Sequence, residues 1–99
     1  MADPVFSEVN TISVSPASPV GITVSTGTVW KIESAGVGGI NGTVLLQDAL
    51  NKPIAILYSS VDQNTYGSPL PFWLEEGFTG SFKNDSKFMA CVSVTIYTI

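Results

Sequence analysis

The chain has 99 residues and a formal net charge of −4, from eight acidic residues against four lysines, with no histidine. Arginine is also absent, so the basic face and the guanidinium forks that grip phosphates are missing, and nucleic acid is excluded as an expected partner. Hydrophobic residues make up 44% and charged residues only 12%, with a mean hydropathy of +0.34. A domain of this length folds to about 5,400 Å² of surface from about 15,000 Å², a thin core for so much apolar material, so a second buried surface is expected.

The start, Met1-Ala2-Asp3-Pro4, carries no basic segment followed by an apolar one, and no apolar run approaches about 18 residues. Neither a secretory signal nor a membrane helix is expected, and the reading is a soluble product of the cytoplasm. Residues 1–19 read as an extended arm around a brief strand at Thr11–Val14, because Pro4, Pro16 and Pro19 fix φ and remove donors. Such an arm can cross onto a neighbouring subunit.

The rest, residues 20–99, shows no helical periodicity; β-branched and aromatic residues recur in short runs between Gly, Pro, Asn and Asp. This predicts an all-β domain, an antiparallel β-sandwich or jelly-roll-like fold. Val20–Ser25 places Val20, Ile22 and Val24 on one side, and Thr28–Ala35 turns Trp30 and Ile32 inward and Lys31 and Glu33 outward. Gly36-Val37-Gly38-Gly39 and Asn41-Gly42 read as turns. Thr43–Asp48 and Pro53–Ser59 form a hairpin across Ala49–Lys52, followed by a loop from Ser60 to Pro69.

Leu70–Leu74 and Phe78–Phe82 flank Glu75-Glu76-Gly77, a tight reversal in which glycine supplies positive φ. After a turn at Asn84-Asp85-Ser86, the segment Lys87–Ile99 alternates Phe88, Ala90, Val92, Val94 and Ile96 against Met89, Cys91, Ser93, Thr95 and Tyr97. A strand this long is expected at the centre of a sheet. The middle strands are apolar on both sides: Val44 and Leu46 against Leu45, Ile54 and Ile56 against Leu57, Phe72 against Trp73. Outward faces of that kind call for a cover, supplied by the arm, a loop or another chain.

Catalytic equipment is not expected. The usual base of serine and cysteine hydrolases, histidine, is absent, and Cys91 in a buried strand is a packing residue that has no disulfide partner. Glu75 and Glu76 are adjacent at a turn, where their carboxylates diverge instead of flanking one bond. Asp48, Asp62 and Asp85 lack the spacing of a calcium loop, and the glycines near Gly36 lack the lysine and helix of a phosphate loop. No metal and no cofactor are expected. Trp30 is read as core and Trp73 as the exposed aromatic; Trp73, Tyr66 and Tyr58, rimmed by the Ser60–Pro69 loop, make an alternative carbohydrate- or receptor-binding surface.

Four segments together carry a resemblance: Trp30-Lys31-Ile32, Gly42–Asp48, Pro69–Gly77 with its proline and aromatic run, and Val92-Ser93-Val94-Thr95-Ile96-Tyr97. In this order they resemble the small β-rich virion proteins of tailed bacteriophages, over about two-thirds of the chain. The resemblance implies a structural virion protein made in the host cytoplasm, a capsid decoration or cement protein that contacts the major capsid protein or another virion protein. It also implies a homo-oligomer, with a trimer favoured. The candidate interface is Leu45, Leu57, Trp73 and Met89 from the sandwich with Val5, Phe6, Ile12 and Val14 from the arm.

Overall fold

A computed structural model of the chain describes residues 5–38, 42–61, 64–66 and 70–99, with backbone alone for 60, 61 and 64–66. Among these residues there are nine strands and no helix: β1 Val5–Val14, β2 Val20–Thr23, β3 Thr28–Val37, β4 Gly42–Asp48, β5 Pro53–Val61, β6 Asn64–Tyr66, β7 Phe72–Leu74, β8 Thr79–Asp85 and β9 Ala90–Thr98. They form a four-stranded sheet in the order β1-β9-β3-β7 and a five-stranded sheet in the order β2-β8-β4-β5-β6. All pairings are antiparallel. The result is the β-sandwich that the alternating pattern predicts.

The core lies between the sheets. Ile32, Val92, Val94 and Val14 of one sheet and Val44, Leu46 and Phe82 of the other are sealed from solvent. Their period-two spacing is what turns them inward together, and burying them drives the sheets into contact. β9 sits between β1 and β3, as its length suggests.

Buried polar groups are paired. Ser81 donates to Gln47 Oε1 at 3.1 Å, and Asn84 donates to the carbonyl oxygens of Val14 at 2.8 Å and Phe88 at 2.6 Å. Asn84 therefore fastens β8 of one sheet to the end of β1 in the other. Two glycines occupy the left-handed region at connections, Gly27 at φ 85° and Gly77 at φ 87°.

Several local expectations are corrected. The N-terminal segment is not a free arm: β1 is a ten-residue strand whose residues pair with β9 from Val5 opposite Thr98 to Val14 opposite Ala90. Prolines 16 and 19 lie after the strand instead of within it, so they end the pairing without preventing it. Nor do the segments around Glu75–Gly77 form a hairpin, since β7 belongs to the four-stranded sheet and β8 to the five-stranded one. The connection crosses over, and it is held by Gly77 N–H donating to the Val24 carbonyl at 2.8 Å and Gly27 N–H donating to Glu76 Oε2 at 2.7 Å.

Strand ends shift as well. β3 continues through Gly36 to Val37, and β8 continues through Asn84 to Asp85, so neither site is the turn predicted for it. Part of the predicted Ser60–Pro69 loop is strand, with Ser60 opposite Thr65 in the β5–β6 pairing. Gly39 and Asn41 lie outside the described residues.

Candidate functional site

The outward side of the four-stranded sheet is the most unusual surface of the molecule, and the strand register defines it. Phe6 stands opposite Tyr97, and Tyr97 opposite Val29. In the next row Val9 faces Thr95, Thr95 faces Lys31, and Lys31 faces Trp73. Phe6 meets Tyr97 edge-on at 6.5 Å between ring centroids, and Trp73 meets Tyr97 at 5.4 Å with a 36° tilt. These three rings thus make a continuous ridge over the strands β1, β9 and β7.

Further along the same side the residues become small. Thr11 faces Ser93, Ser93 faces Ser34 across a bulge in β3, Ser13 faces Cys91, and Cys91 faces Gly36. The face is thus an aromatic ridge at one end and a low plain of Ser, Thr, Cys and Gly at the other. Its charges among the described residues are Lys31 and Glu33, which pair with each other at 3.2 Å, and the Lys31 ammonium also stands 5.6 Å from the Trp73 ring centre. An exposed pair of this kind adds little stability, but it leaves the face without net charge.

The sidedness of β1 changes along its length. Where the sandwich lies beneath it, the strand turns Ile12 and Val14 inward. Beyond that, its inward positions are Glu8 and Asn10, and its apolar side chains Val9 and Phe6 point away from the core. The amphipathic sense of the strand is inverted at its exposed end, with Phe6 60% and Val9 57% exposed. Such a pattern suits a strand whose outer side is to be covered.

The outward side of the five-stranded sheet is more mixed. Leu45 pairs there with Ile56, but Lys83 stands beside Leu45, and the Thr43 and Ser59 hydroxyls share a hydrogen bond of 3.1 Å. An open groove of about 480 Å³ runs along the β7 side of the sandwich, between Ile54, Phe72, Trp73 and Phe78 and the Glu75–Gly77 connection.

The sequence-derived interface residues fall into two groups. Trp73, Met89, Val5 and Phe6 are exposed, and Leu45 is half-buried on an outward face. Leu57 and Val14 are not surface residues: both belong to the core, Leu57 because alternation puts it on the side of Ala55, opposite the exposed Ile54 and Ile56, and Val14 because β1 closes over the sandwich edge. Ile12 packs against that core, half-buried. Val9 and Tyr97 complete the face; their outward position was legible from alternation, once β1 is known to pair with β9.

Other candidates have local roles. Tyr58 packs against the core, and the side chain of Tyr66 lies outside the described residues. Asp48 Oδ1 accepts from Leu50 N–H at 2.8 Å and Lys52 N–H at 3.0 Å, closing the β4–β5 turn, where Asn51 takes φ 61°. Cys91 is exposed, not buried, because it points to the outward side of β9. Among the described residues no group of three or more Cys, Asp or Glu side chains is gathered to hold a metal ion.

No family model, no curated protein and no solved structure matches the chain. Fold and surface define a class: an antiparallel β-sandwich with an uncovered aromatic face on its four-stranded sheet.

Proposed function

We propose that the chain is a non-catalytic assembly module, a structural virion protein that decorates and stabilises a phage head by docking through its apolar sheet face. The observation that carries this reading is the ridge of Phe6, Tyr97 and Trp73, aromatic area that a lone copy leaves in water. A second support is the connectivity. Successive strands cross between the sheets from β1 to β2, β3 and β4, and again from β6 to β7, β8 and β9, the pattern of jelly-roll folds on which capsid domains are built. That link is an analogy of fold, joined to the resemblance of Trp30–Tyr97 to virion proteins.

In this reading the grip comes from a sheet face and not from a loose arm, since β1 is part of the sheet. Bridging neighbouring capsid subunits adds buried area to the shell and stabilises it by mass action. Cryo-electron microscopy of the virion tests the proposal: sandwich density on the head exterior is expected, and absence of the chain from the particle refutes the virion assignment.

A second reading is favoured by the groove beside Trp73, where aromatic walls adjoin the carboxylates of Glu75 and Glu76. Flat apolar rings suit the C–H faces of sugars and carboxylates accept from their hydroxyls, so a glycan is the ligand class. A glycan array run with the parent chain and with Trp73→Ala separates the readings. Binding that disappears in the variant supports a receptor-binding module, and silence in both supports the cement protein.

A further inference from the structure

The outward face of the four-stranded sheet has two ways to become buried, through its edge or through its flat side, and β1 distinguishes them. As the terminal strand of the sheet, β1 presents a free edge ten residues long with no proline inside it. That edge is guarded: a bulge interrupts the pairing between Phe6 and Glu8, and Glu8 is a charge turned to the inward side. Bulges and inward charges are the devices by which strands avoid edge-to-edge pairing. The flat side has no such guard, since its two charges neutralise each other and its apolar side chains stand exposed.

We infer that this face is a homotypic interface, on which a second copy of the chain packs sheet against sheet about a two-fold axis, each aromatic ridge resting on the partner's Ser/Thr/Gly plain. The inference rests on the assembly reading only for its biological setting and gives the ridge a different occupant: when two copies pair through it, the dimer meets the capsid through its remaining surfaces.

Charge permits a second copy as occupant of this face and not of the acidic surfaces. Each chain carries −4, so two copies repel wherever their acidic surfaces meet. On this face Lys31 and Glu33 cancel, and among the described residues no further charge lies on it, so two copies meet here at less electrostatic cost than across their acidic surfaces.

Area and relief agree. Three strands of nine or ten residues, about 4.8 Å apart and about 33 Å long, together with the three-residue β7, present roughly 500 Å² per copy, so pairing buries on the order of 1,000 Å², at the lower end for specific complexes. A ridge at one end and a plain at the other fit each other when the strands of the two copies run in opposite directions. The arrangement is isologous, with the same patch used twice, whereas the trimer implied by the resemblance needs two different patches on each copy.

Sedimentation velocity of the full chain over a concentration series tests the pairing, with Cys91 as the reporter thiol on the plain. The expected result is a dimer at concentrations on the order of 100 μM, with maleimide labelling of Cys91 slowed at least about tenfold relative to the dilute monomer. Phe6→Ser, which removes part of the ridge, and Ser13→Arg, which raises the plain, are both expected to sediment as monomers. Their thermal unfolding should match the parent, because both side chains are exposed. Leu50→Ser, in the β4–β5 turn, should remain dimeric. A chain monomeric at every concentration overturns the inference, and so does a dimer whose Cys91 labels as fast as the monomer's. A monomer that binds purified capsid protein, losing that binding on Phe6→Ser, overturns the self-pairing while leaving the assembly reading intact.

Discussion

Asn84 joins the two sheets through Val14: its Nδ2 donates to the Val14 carbonyl oxygen at 2.8 Å, across 70 positions of the chain. The same amide donates to the Phe88 carbonyl at 2.6 Å, while its Oδ1 accepts from the Ser86 hydroxyl at 2.6 Å. With no disulfide available, this buried side chain is one of the few directional ties between the layers.

Removing that tie has a calculable effect. Asn84→Ala leaves the Val14 carbonyl without this donor, while the Phe88 carbonyl keeps the Ser86 hydroxyl at 2.9 Å, so the expected loss is about 1–3 kcal/mol. Urea denaturation measures it. A loss below about 1 kcal/mol would mean that water replaces the amide and that the tie is incidental.

Leu57 and Leu45 belong to neighbouring strands with similar sequences and opposite environments. Leu57 is 3% exposed in the core, whereas Leu45 lies half-buried on the outward side. Leu57→Ala is expected to cost about 2–5 kcal/mol, and Leu45→Ala less than half as much. Equal costs in denaturant titrations would contradict the opposite sides assigned to the two.

Deleting residues 1–19 removes β1, which seals β9 and contributes the fully buried Val14. The truncated chain is expected to lose its cooperative unfolding transition, followed by circular dichroism against urea. A cooperative transition of parent-like midpoint would return this segment to the status of a dispensable arm.

Gly80 and Gly21 give a matched pair of tests in facing strands. A Cβ at Gly80 would run into the Gln47 carbonyl oxygen and the Phe78 ring, while a Cβ at Gly21 meets open space. Gly80→Ala is expected to destabilise by about 2–3 kcal/mol or more, through forced displacement of β4 from β8. Gly21→Ala should be close to neutral, and a reversal of that order in thermal unfolding would contradict the packing.

The parts of the fold set by local alternation were readable in the sequence. Val20, Ile22 and Val24 share a side, β4 and β5 pair across a short turn, and β9 divides its faces at Ala90, Val92 and Val94 as the period of two requires. What could not be read was long-range. Nothing near Val5 or Phe6 announces a partner at the other end of the chain, and prolines on both sides of the segment disguise a strand as an arm.

Turn chemistry was equally ambiguous at Glu75–Gly77, because a glycine at positive φ serves a hairpin and a crossover alike. At Tyr58 the bulge in the β4–β5 pairing sets the side chain opposite Val44 and against the core, where alternation from Ile54 and Ile56 assigns it outward. The candidate face was half-legible: Trp73 and Phe6 stood out as apolar surface, but their union with Tyr97 follows from β1-β9-β3-β7, an order that sequence spacing does not encode.

Oxidative footprinting by mass spectrometry, over a range of protein concentrations, examines the aromatic ridge itself. As copies come together near 100 μM, an order-of-magnitude threshold for such an interface, modification of Phe6, Tyr97 and Trp73 should fall in concert while Leu50 and Ile56 stay as reactive as before. Ridge residues that oxidise equally at every concentration, or protection that appears at Leu50 and Ile56 instead, would contradict the assignment of this face.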